Sequence, residues 1–320
     1  MKENKGERSL FGLVIPIMFL LACVILLFPL RGGFSKDYLL ILLSRSLVLS
    51  IITVGAVFVF TVGAFGISLG ASTLFGVSLG AAVYETTGSI ALSFVVSVGA
   101  PALSCVISSV LSTFFNLPAY VTAALMLALL GSAARVTLES RGGEIFTGLS
   151  GNTVFDSLRF RAIFFAFYML LCVFLFHFCP VGRKQKALGD DRHKARLMGV
   201  SRRWYSAVAF LVAGLGVGLG AFLILCSGDS VSKSSVSDLG FNIIFAILLG
   251  GMSLSGGSGS RLSSAVMGSF SAIFISEILY EVFGHKMQYL GLSQMIRGGI
   301  LLIFMVISSK NIQNGGKNAG

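Results

Sequence analysis

The sequence predicts an all-α, polytopic transmembrane helical bundle, on the basis of its composition, the placement of its charges and the spacing of its apolar segments. Of the 320 residues, 55% are hydrophobic and only 12% are charged, whereas an ordinary soluble domain has roughly 25% charged residues. Glu85 is the one charged residue between Arg45 and Arg135. A chain with so few charges must turn apolar surface toward lipid, so we expect a multi-pass protein of the inner or plasma membrane.

Hydropathy divides the chain into about ten candidate membrane segments. The eighth is short, and the surroundings of the third and eighth are rich in Gly and Ser. Such features are typical of broken or re-entrant helices that line a pathway. The ten segments run approximately over residues 10–30, 38–61, 66–84, 89–113, 119–138, 160–180, 205–226, 239–250, 261–283 and 288–308.

The basic residues predict the orientation of these segments. The net charge is +11, and much of the excess lies in the Arg183–Arg203 loop and at the two termini. Basic loops between apolar spans mark the cytoplasmic side of a membrane protein, and ten segments place that loop and both termini on one side. We therefore expect cytoplasmic N- and C-termini. No aromatic residues are interleaved with the basic ones on a folded domain, so nucleic acid is not expected as a partner.

A weak internal repeat predicts the domain organisation. The string Gly66-Ile-Ser-Leu in the first half matches Gly251-Met-Ser-Leu in the second. We expect one membrane domain over residues 1–320, made of two halves at about 38–180 and 205–310. A cytoplasmic segment, 181–204, would join them.

Two glycine- and serine-rich strings carry a family resemblance. Leu249-Gly-Gly-Met-Ser-Leu-Ser-Gly-Gly-Ser-Gly259 resembles the GG-x-SL-x-GG-x-G signature of ABC-type permeases that import ribose, galactose and related sugars. Val62-Gly-Ala-Phe-Gly-Ile-Ser-Leu-Gly70 resembles the family's first-half motif, G-G-I-D-L-S-V-G, with Gly66 where the family has Asp. The resemblance extends from about residue 38 to 310 and implies a type II ABC importer-like fold.

The two strings predict the translocation pathway. A polar solute that leaves water loses its hydrogen bonds to water, and hydroxyl groups and freed backbone carbonyls can replace them. The alternative is that each serine bonds the carbonyl four residues earlier in its own helix and has no other role. The predicted pathway residues are Phe65, Ser68, Ser72, Gly251, Ser253, Gly256 and Gly257.

A third string, Ala187-Leu-Gly-Asp-Asp-Arg-His-Lys-Ala-Arg-Leu-Met-Gly-Val200, resembles the A-x-G-G-N-E-x-A-A-R-L-S-G-I segment by which the family's permeases dock on ATPase subunits. Arg192 stands where the family has Glu. The alternative is a basic loop that only fixes orientation. The coupling residues that the resemblance implies are Gly189, Asp190, Asp191, Arg192, Ala195, Arg196 and Gly199.

Helical spacing suggests how this segment would meet a partner. Ala195 and Gly199 would share a face that leaves room for a partner groove, while Leu188 and Leu197 would supply apolar anchors. Arg192 and Arg196 would seek acidic groups on the ATPase.

The resemblance implies several partners and excludes others. Cytoplasmic ATP-binding subunits, a second permease copy or close paralogue, an extracytoplasmic solute-binding protein and the lipid bilayer are expected. The sequence contains no G-x-x-x-x-G-K-[ST] phosphate loop and no nucleophile–base constellation, so we expect no ATPase site and no enzyme activity. No cofactor or metal site is expected either.

Other interpretations stay open from the residues. A permease for nucleosides or branched-chain amino acids fits the resemblance, and an autonomous secondary transporter or channel is the rival class. Such a carrier needs an acidic residue with a partner near the midplane, and no clear pair is evident: Arg45 is expected to snorkel, and Glu277 to lie near the outward end. The glycines of Gly214-x-Gly-x-Gly-x-Gly220 would pack helices within the subunit or between subunits.

Overall fold

The computed structural model describes residues 36–115, 117–148, 157–232, 239–252, 256–257 and 259–283, and a few positions between 295 and 302. Nearly all of this part is helical, as the fold class predicts. The elements are α1 (Lys36–Thr61), α2 (Ser68–Thr87), α3 (Ile90–Phe114), α4 (Ala119–Glu139), β1 (Glu144–Phe146), α5 (Leu158–Val173, continued by a π-helical turn at Phe174–Phe178), α6 (Pro180–Asp190), α7 (Arg192–Leu197), α8 (Arg202–Ser227), β2 (Ser230–Ser232), α9 (Leu239–Leu249) and α10 (Leu262–Phe283).

Six of the described helices are long and apolar enough to cross a membrane: α1, α3, α4, α5 with its π-helical turn, α8 and α10. These six confirm the second, fourth, fifth, sixth, seventh and ninth predicted segments. The third corresponds to α2, and the eighth to the short helix α9. The first segment and nearly all of the tenth lie outside the described residues. The chain is thus a multi-pass membrane protein.

Helix α9 is too short to span a bilayer. Its 11 residues rise about 16 Å at 1.5 Å per residue, roughly half of a hydrocarbon core about 30 Å thick. Residues 250–252, 256–257 and 259–261 are outside any helix, and α10 begins at Leu262. The described part of the 250–259 stretch is therefore non-helical, as its glycine density predicts, since each Gly costs a regular helix about 1 kcal/mol relative to Ala.

The glycines of α8 serve packing within this chain. A Cβ atom added to Gly214 would lie 2.6 Å from the Cα of Ala102, and one added to Gly218 would lie 2.6 Å from the Cα of Val98. Both neighbours belong to α3. The absence of side chains lets the two helix backbones approach closely, which is how membrane helices associate.

The bundle has two distinct ends. We call the end where α6 and α7 lie the coupling end, and the end where β1 pairs antiparallel with β2 the strand end. In the strand pair Ile145 is opposite Val231, and both side chains are buried. Contacts across the bundle, such as Thr53 of α1 with Ser269 of α10 at 2.5 Å between hydroxyl oxygens, tie the helices together between the two ends.

Two membrane charges that the sequence left without a partner form a pair. Arg45 of α1 and Glu277 of α10 form an ion pair, with Nη1 and Oε2 3.7 Å apart. Sequence spacing could not show this pair because the two residues are far apart in the chain. Arg45 lies about 14 Å along α1 from Lys36 by helical rise, so the pair belongs to the part of the bundle toward the strand end.

Candidate functional site

A cleft lined with hydroxyl groups lies where α2, α3, α4 and α8 approach one another. The cleft is partly open to the outside of the bundle, and its empty space of about 210 Å³ includes that open part. The apolar part of its wall comes from two phenylalanines and two alanines, whereas the polar part comes from three serines and a threonine. The lining residues are Phe65, Ser68, Ser108, Ser112, Ala119, Thr122, Ala123 and Phe210.

Two of the predicted pathway residues, Phe65 and Ser68, lie in this lining. Phe65 belongs to the non-helical link between α1 and α2, and its ring makes an edge contact with Phe60, with centroids 6.4 Å apart. Ser68 is the first residue of α2. The irregular backbone before α2 thus brings a hydroxyl and an aromatic ring to the same cleft.

Three hydroxyl residues of the lining, Ser108, Ser112 and Thr122, were missed because α3 and α4 contain no recognised motif. A signal was available, since Ser104, Ser108 and Ser112 recur every four residues in an apolar span and therefore share a helix face. The Ser108 hydroxyl donates to the Ser104 carbonyl at 2.8 Å. Its lone pairs remain able to accept a hydrogen bond from a solute.

Ser72 has a different environment from Ser68. Its hydroxyl donates to the Ser68 carbonyl at 3.1 Å and accepts a weak hydrogen bond from the Cys105 thiol, with the two heavy atoms 3.9 Å apart. It is buried between α2 and α3 and is not part of the cleft lining. The alternative role, bonding within its own helix, therefore describes Ser72 better than solute contact.

Helices α1 and α9 end in the same way. Gly63 and Gly251 both have positive φ, at 72° and 74°. After α1, the Ala64 amide donates to the Val59 carbonyl; after α9, the Met252 amide donates to the Ile247 carbonyl. Each is a Schellman turn, in which a glycine in the left-handed region ends the helix. These turns align Gly63 with Gly251, whereas the sequence match aligns Gly66 with Gly251.

Three predicted glycines, Gly189, Gly256 and Gly257, form a backbone contact with Gly63 at the coupling end, which we call the glycine junction and define by these four residues. The Gly257 amide donates to the carbonyl of Thr61 at 3.1 Å. A Cβ atom on Gly189 would overlap that same carbonyl oxygen and lie 2.6 Å from the Gly257 nitrogen. A Cβ on Gly256 would overlap the carbonyl oxygen of Phe60 and lie 3.0 Å from the Gly63 nitrogen.

The junction joins residues that the sequence assigned to separate tasks. Gly256 and Gly257 were predicted for the pathway, and Gly189 for ATPase coupling, yet their backbones are in contact. Asp190 is also there, because a Cβ on Gly257 would overlap its carboxylate. Ser253 lies outside the described residues, and Gly251 lies in the turn that ends α9.

Helix α7 is a short element held by its two ends. At its start Asp191 accepts hydrogen bonds from the amides of His193 at 2.8 Å and Lys194 at 3.2 Å, as an N-cap residue does. The backbone amides of Lys194 and His193 lower the pKa of the Asp191 carboxyl, so the cap is ionised at neutral pH. At its end Gly199 has φ +72° and the Val200 amide donates to the Ala195 carbonyl at 3.0 Å.

The structure corrects the expected docking face. Ala195 is fully buried and Leu188 is 2% exposed, so both face the interior of this chain and neither is available to a partner. Leu197 and Met198 are 76% and 65% exposed, and the space around Gly199 is open. The exposed apolar surface of the segment is thus Leu197–Met198, which we call the apolar tip.

The charged residues of the segment differ in what they contact. The guanidinium of Arg192 donates to the carbonyl of Gly63 at 3.2 Å, so it turns toward the membrane helices. Arg196 is exposed. On α6, burial and the nearby Arg261 lower the pKa of Lys186, while Asp190 opposes that shift.

Comparison with known proteins assigns the family. The family described as "Branched-chain amino acid transport system / permease component" matches residues 38–305. The chain belongs to this family. A permease component moves a solute across a membrane and is not itself an enzyme.

Three relatives agree with that assignment. The chain is 24% identical to the ribose import permease protein RbsC of Haemophilus influenzae, over 85% of this chain and 84% of that protein. It is 25% identical to the autoinducer 2 import system permease protein LsrC of Salmonella typhimurium, over 81% and 77%. A match at 25% to the probable ABC transporter permease protein YphD of Escherichia coli spans 59% of this chain and about half, 56%, of that relative. Together they support a permease of an ABC transporter.

Proposed function

We propose that this chain is the membrane-spanning subunit of an ATP-driven importer and that its solute is a sugar. The observation that carries the proposal is the arrangement of one exposed apolar tip at the coupling end and one hydroxyl-lined cleft within the bundle. An importer of this kind needs a surface that receives force from an ATPase and a polar passage that accepts a solute. The names of two relatives, a ribose and an autoinducer 2 import permease, favour a small polyhydroxylated solute.

The cleft supports the choice of a sugar over a branched-chain amino acid. Its polar groups are the neutral hydroxyls of Ser68, Ser108, Ser112 and Thr122, which can donate to and accept from the hydroxyls of a sugar. The described lining contains no charged side chain to neutralise an amino acid's ammonium or carboxylate, and desolvating such groups unpaired is costly.

The apolar tip supports the ATPase partner. Leu197 and Met198 are large, apolar and exposed next to the charged residues of α7. Because the neighbouring Ala195 and Leu188 are buried, force on the tip would reach the membrane helices through this packing. Rigid-body movement of packed elements then alternates the access of the pathway.

The remaining assignments complete the proposal. ATP-binding subunits would bind the coupling end in the cytoplasm, where both termini would also lie, and a solute-binding protein would dock on the strand end outside. A second permease copy or paralogue would complete the pathway, and the two halves of this chain, about 38–180 and 205–310, would flank the joining segment.

Copurification and uptake measurements test the proposal. The tagged chain, purified from its native membrane, should bring down an ATPase, and the purified complex in liposomes should take up radiolabelled ribose only with ATP. Replacing the tip by Leu197→Asp with Met198→Asp should lower ATPase recovery by about tenfold, since a buried apolar contact would be replaced by two charged side chains that are costly to desolvate at an interface. Phe146→Asp is the matched control, because Phe146 is 73% exposed at the strand end. No ATPase with the unmodified chain would refute the proposal.

Orientation is tested separately with a membrane-impermeant maleimide on intact cells. A cysteine at Gly142, beside the strand pair, should react, and a cysteine at Lys194 should react only after the cells are opened. The reverse pattern would contradict the assignment of the coupling end to the cytoplasm.

A further inference from the structure

The end of α1 has more carbonyl groups than its own turn can satisfy. The last four carbonyls of a helix have no partner within it. The residues of the turn supply donors to three of them, since the amides of Val62, Gly63 and Ala64 bond the carbonyls of Phe58, Phe60 and Val59. The carbonyl of Thr61 and that of Gly63, two residues further along, take their donors from elsewhere in the chain.

Those donors come from two distant segments. The Gly257 amide, in the loop between α9 and α10, bonds the Thr61 carbonyl at 3.1 Å. The Arg192 guanidinium, at the start of α7, bonds the Gly63 carbonyl at 3.2 Å. A cation is favoured here because the carbonyl end of a helix carries partial negative charge. The end of α1 is therefore held at once by a loop of the second half and by the coupling segment.

We propose that Arg192 is a positioning residue that fastens the coupling segment to the end of α1, so that movement of α7 shifts the Gly63 and Gly257 loops together. This inference deepens the proposed function and rests on it for the source of the movement. The fastening itself is a property of this chain alone. Arg192 and Arg196 are both exposed, but the Arg192 guanidinium bonds the end of α1. The apolar tip and Arg196 would then face a partner, while Arg192 would hold the segment to α1.

The bond from Arg192 to the end of α1 accounts for a departure from the family pattern. Arg192 occupies the position where the resembled family has Glu. A carboxylate there would point its oxygens at the Gly63 carbonyl oxygen, which can only accept hydrogen bonds. In this chain the residue must donate, and a guanidinium donates while carrying a charge, which strengthens the bond.

The close backbone contact at the glycine junction would pass movement directly from the coupling segment to the end of α1. Gly189 lies against the Thr61 carbonyl and Gly257, with no space for a Cβ atom. Elements packed to this density cannot slide independently and pass displacement to one another. Arg192 adds a directional bond to that contact, at the point where the coupling segment turns from α6 into α7.

Three variants separate this role from docking. Arg192→Glu removes the donor and reverses the charge, Arg192→Lys retains a cationic donor, and Arg196→Glu makes the same charge reversal one helical turn away on the exposed side. Each is measured in the purified complex for ATPase recovery and for ribose uptake per ATP hydrolysed. Each is also measured as the chain alone in detergent, by hydrogen–deuterium exchange of the peptides that cover 61–66 and 256–261.

We expect Arg192→Glu to retain its ATPase while uptake per ATP hydrolysed falls about tenfold, the size that loss of a hydrogen bond to a charged group produces. Its 61–66 and 256–261 peptides should exchange faster, and Arg192→Lys should restore much of both. Arg196→Glu should lower ATPase recovery, but the complex that remains should keep the ratio of uptake to hydrolysis, and the exchange rates of the chain alone should be unchanged.

Two results would overturn the inference. If Arg192→Glu loses its ATPase and leaves exchange of both peptides unchanged, Arg192 is a docking residue and the proposed function stands without it. If exchange rises in Arg192→Glu but coupling is intact, the bond only stabilises the turn. Absence of any ATPase from the unmodified complex would instead remove the proposed function, and the exchange measurement would still report on the fastening.

Discussion

The two ends of the bundle are held together in different ways. At the strand end, the short backbone ladder of β1 and β2 is supplemented by polar side chains: Arg141 pairs with Glu85, Ser230 donates to Glu144 at 2.7 Å, and Arg161 donates to Ser227 at 2.9 Å. At the coupling end, the elements meet through backbone atoms at the glycine junction.

The difference has a mechanical consequence. The Arg141–Glu85 and Ser230–Glu144 pairs are exposed, and exposed side-chain pairs break and reform one at a time and contribute little. Backbones in contact without intervening side chains have no rotamers to absorb a displacement, so a shift of one segment moves the others. Under the proposed function, the coupling end would transmit movement and the strand end would yield.

The largest effect is expected from filling the junction. Gly189→Val should reduce uptake by about a hundredfold, because a side chain there overlaps the Thr61 carbonyl and overpacking costs about 1–3 kcal/mol in a segment through which all movement would pass. Gly131→Val in α4 is the control, since nothing lies within 4 Å of a Cβ there. Uptake is compared at equal membrane abundance. Equal uptake by both variants would remove the mechanical distinction between the ends.

A somewhat smaller effect is expected from filling the cleft. Ser112→Phe should lower uptake by about tenfold, the result of placing a bulky ring where a polar solute must find hydroxyl partners. ATPase recovery should be unchanged, because the cleft is separate from the apolar tip. Val110→Phe on the exposed side of α3 is the control. If Val110→Phe impairs uptake as much as Ser112→Phe, the cleft is not on the pathway.

A moderate effect is expected at the cap of α7. Asp191→Ala should destabilise the helix, because it removes the N-cap acceptor, and should speed hydrogen exchange of residues 192–198. Asp191→Asn keeps an acceptor and should behave like the unmodified chain. Exchange rates that do not differ between these two variants would show that the cap contributes nothing to α7.

The smallest effect is expected at the strand end. Arg141→Ala should lower the free energy of unfolding by no more than about 1 kcal/mol, because its pair with Glu85 is partly exposed. Uptake should stay within about twofold, and the thermal midpoint in detergent measures the stability. A loss of uptake as large as that of Gly189→Val would show that the strand end also transmits movement.

Membrane segments were predictable from sequence because they depend on local composition. A run of about 20 apolar residues is sufficient to define a span, and the predicted 239–250 segment differs from α9 by one residue. The repeated turn was only partly predictable, since the glycine at each helix end is visible but the alignment of Gly63 with Gly251 appears only in the backbone.

The junction and the docking face were beyond prediction for two reasons. The contact of Thr61 with Gly257 joins residues almost two hundred positions apart, and no local pattern encodes such a pairing. Helix α7 has six residues, too few for apolar periodicity to identify its buried side. Ala195 was therefore assigned to the docking face, although its burial makes it part of the interior. The cleft serines of α3 were visible as a four-residue repeat, but nothing local distinguished them from serines such as Ser72.

The most direct test of the account is the energy source for uptake by the purified complex in liposomes. When the coupling end faces the liposome lumen and the lumen contains ATP, labelled sugar should accumulate there. An ionophore that abolishes ion and proton gradients should leave that accumulation unchanged. A non-hydrolysable ATP analogue should support none. Accumulation by the chain alone, without an ATPase, that is driven by an ion gradient and abolished by the ionophore would contradict the account and assign the chain to the secondary carriers.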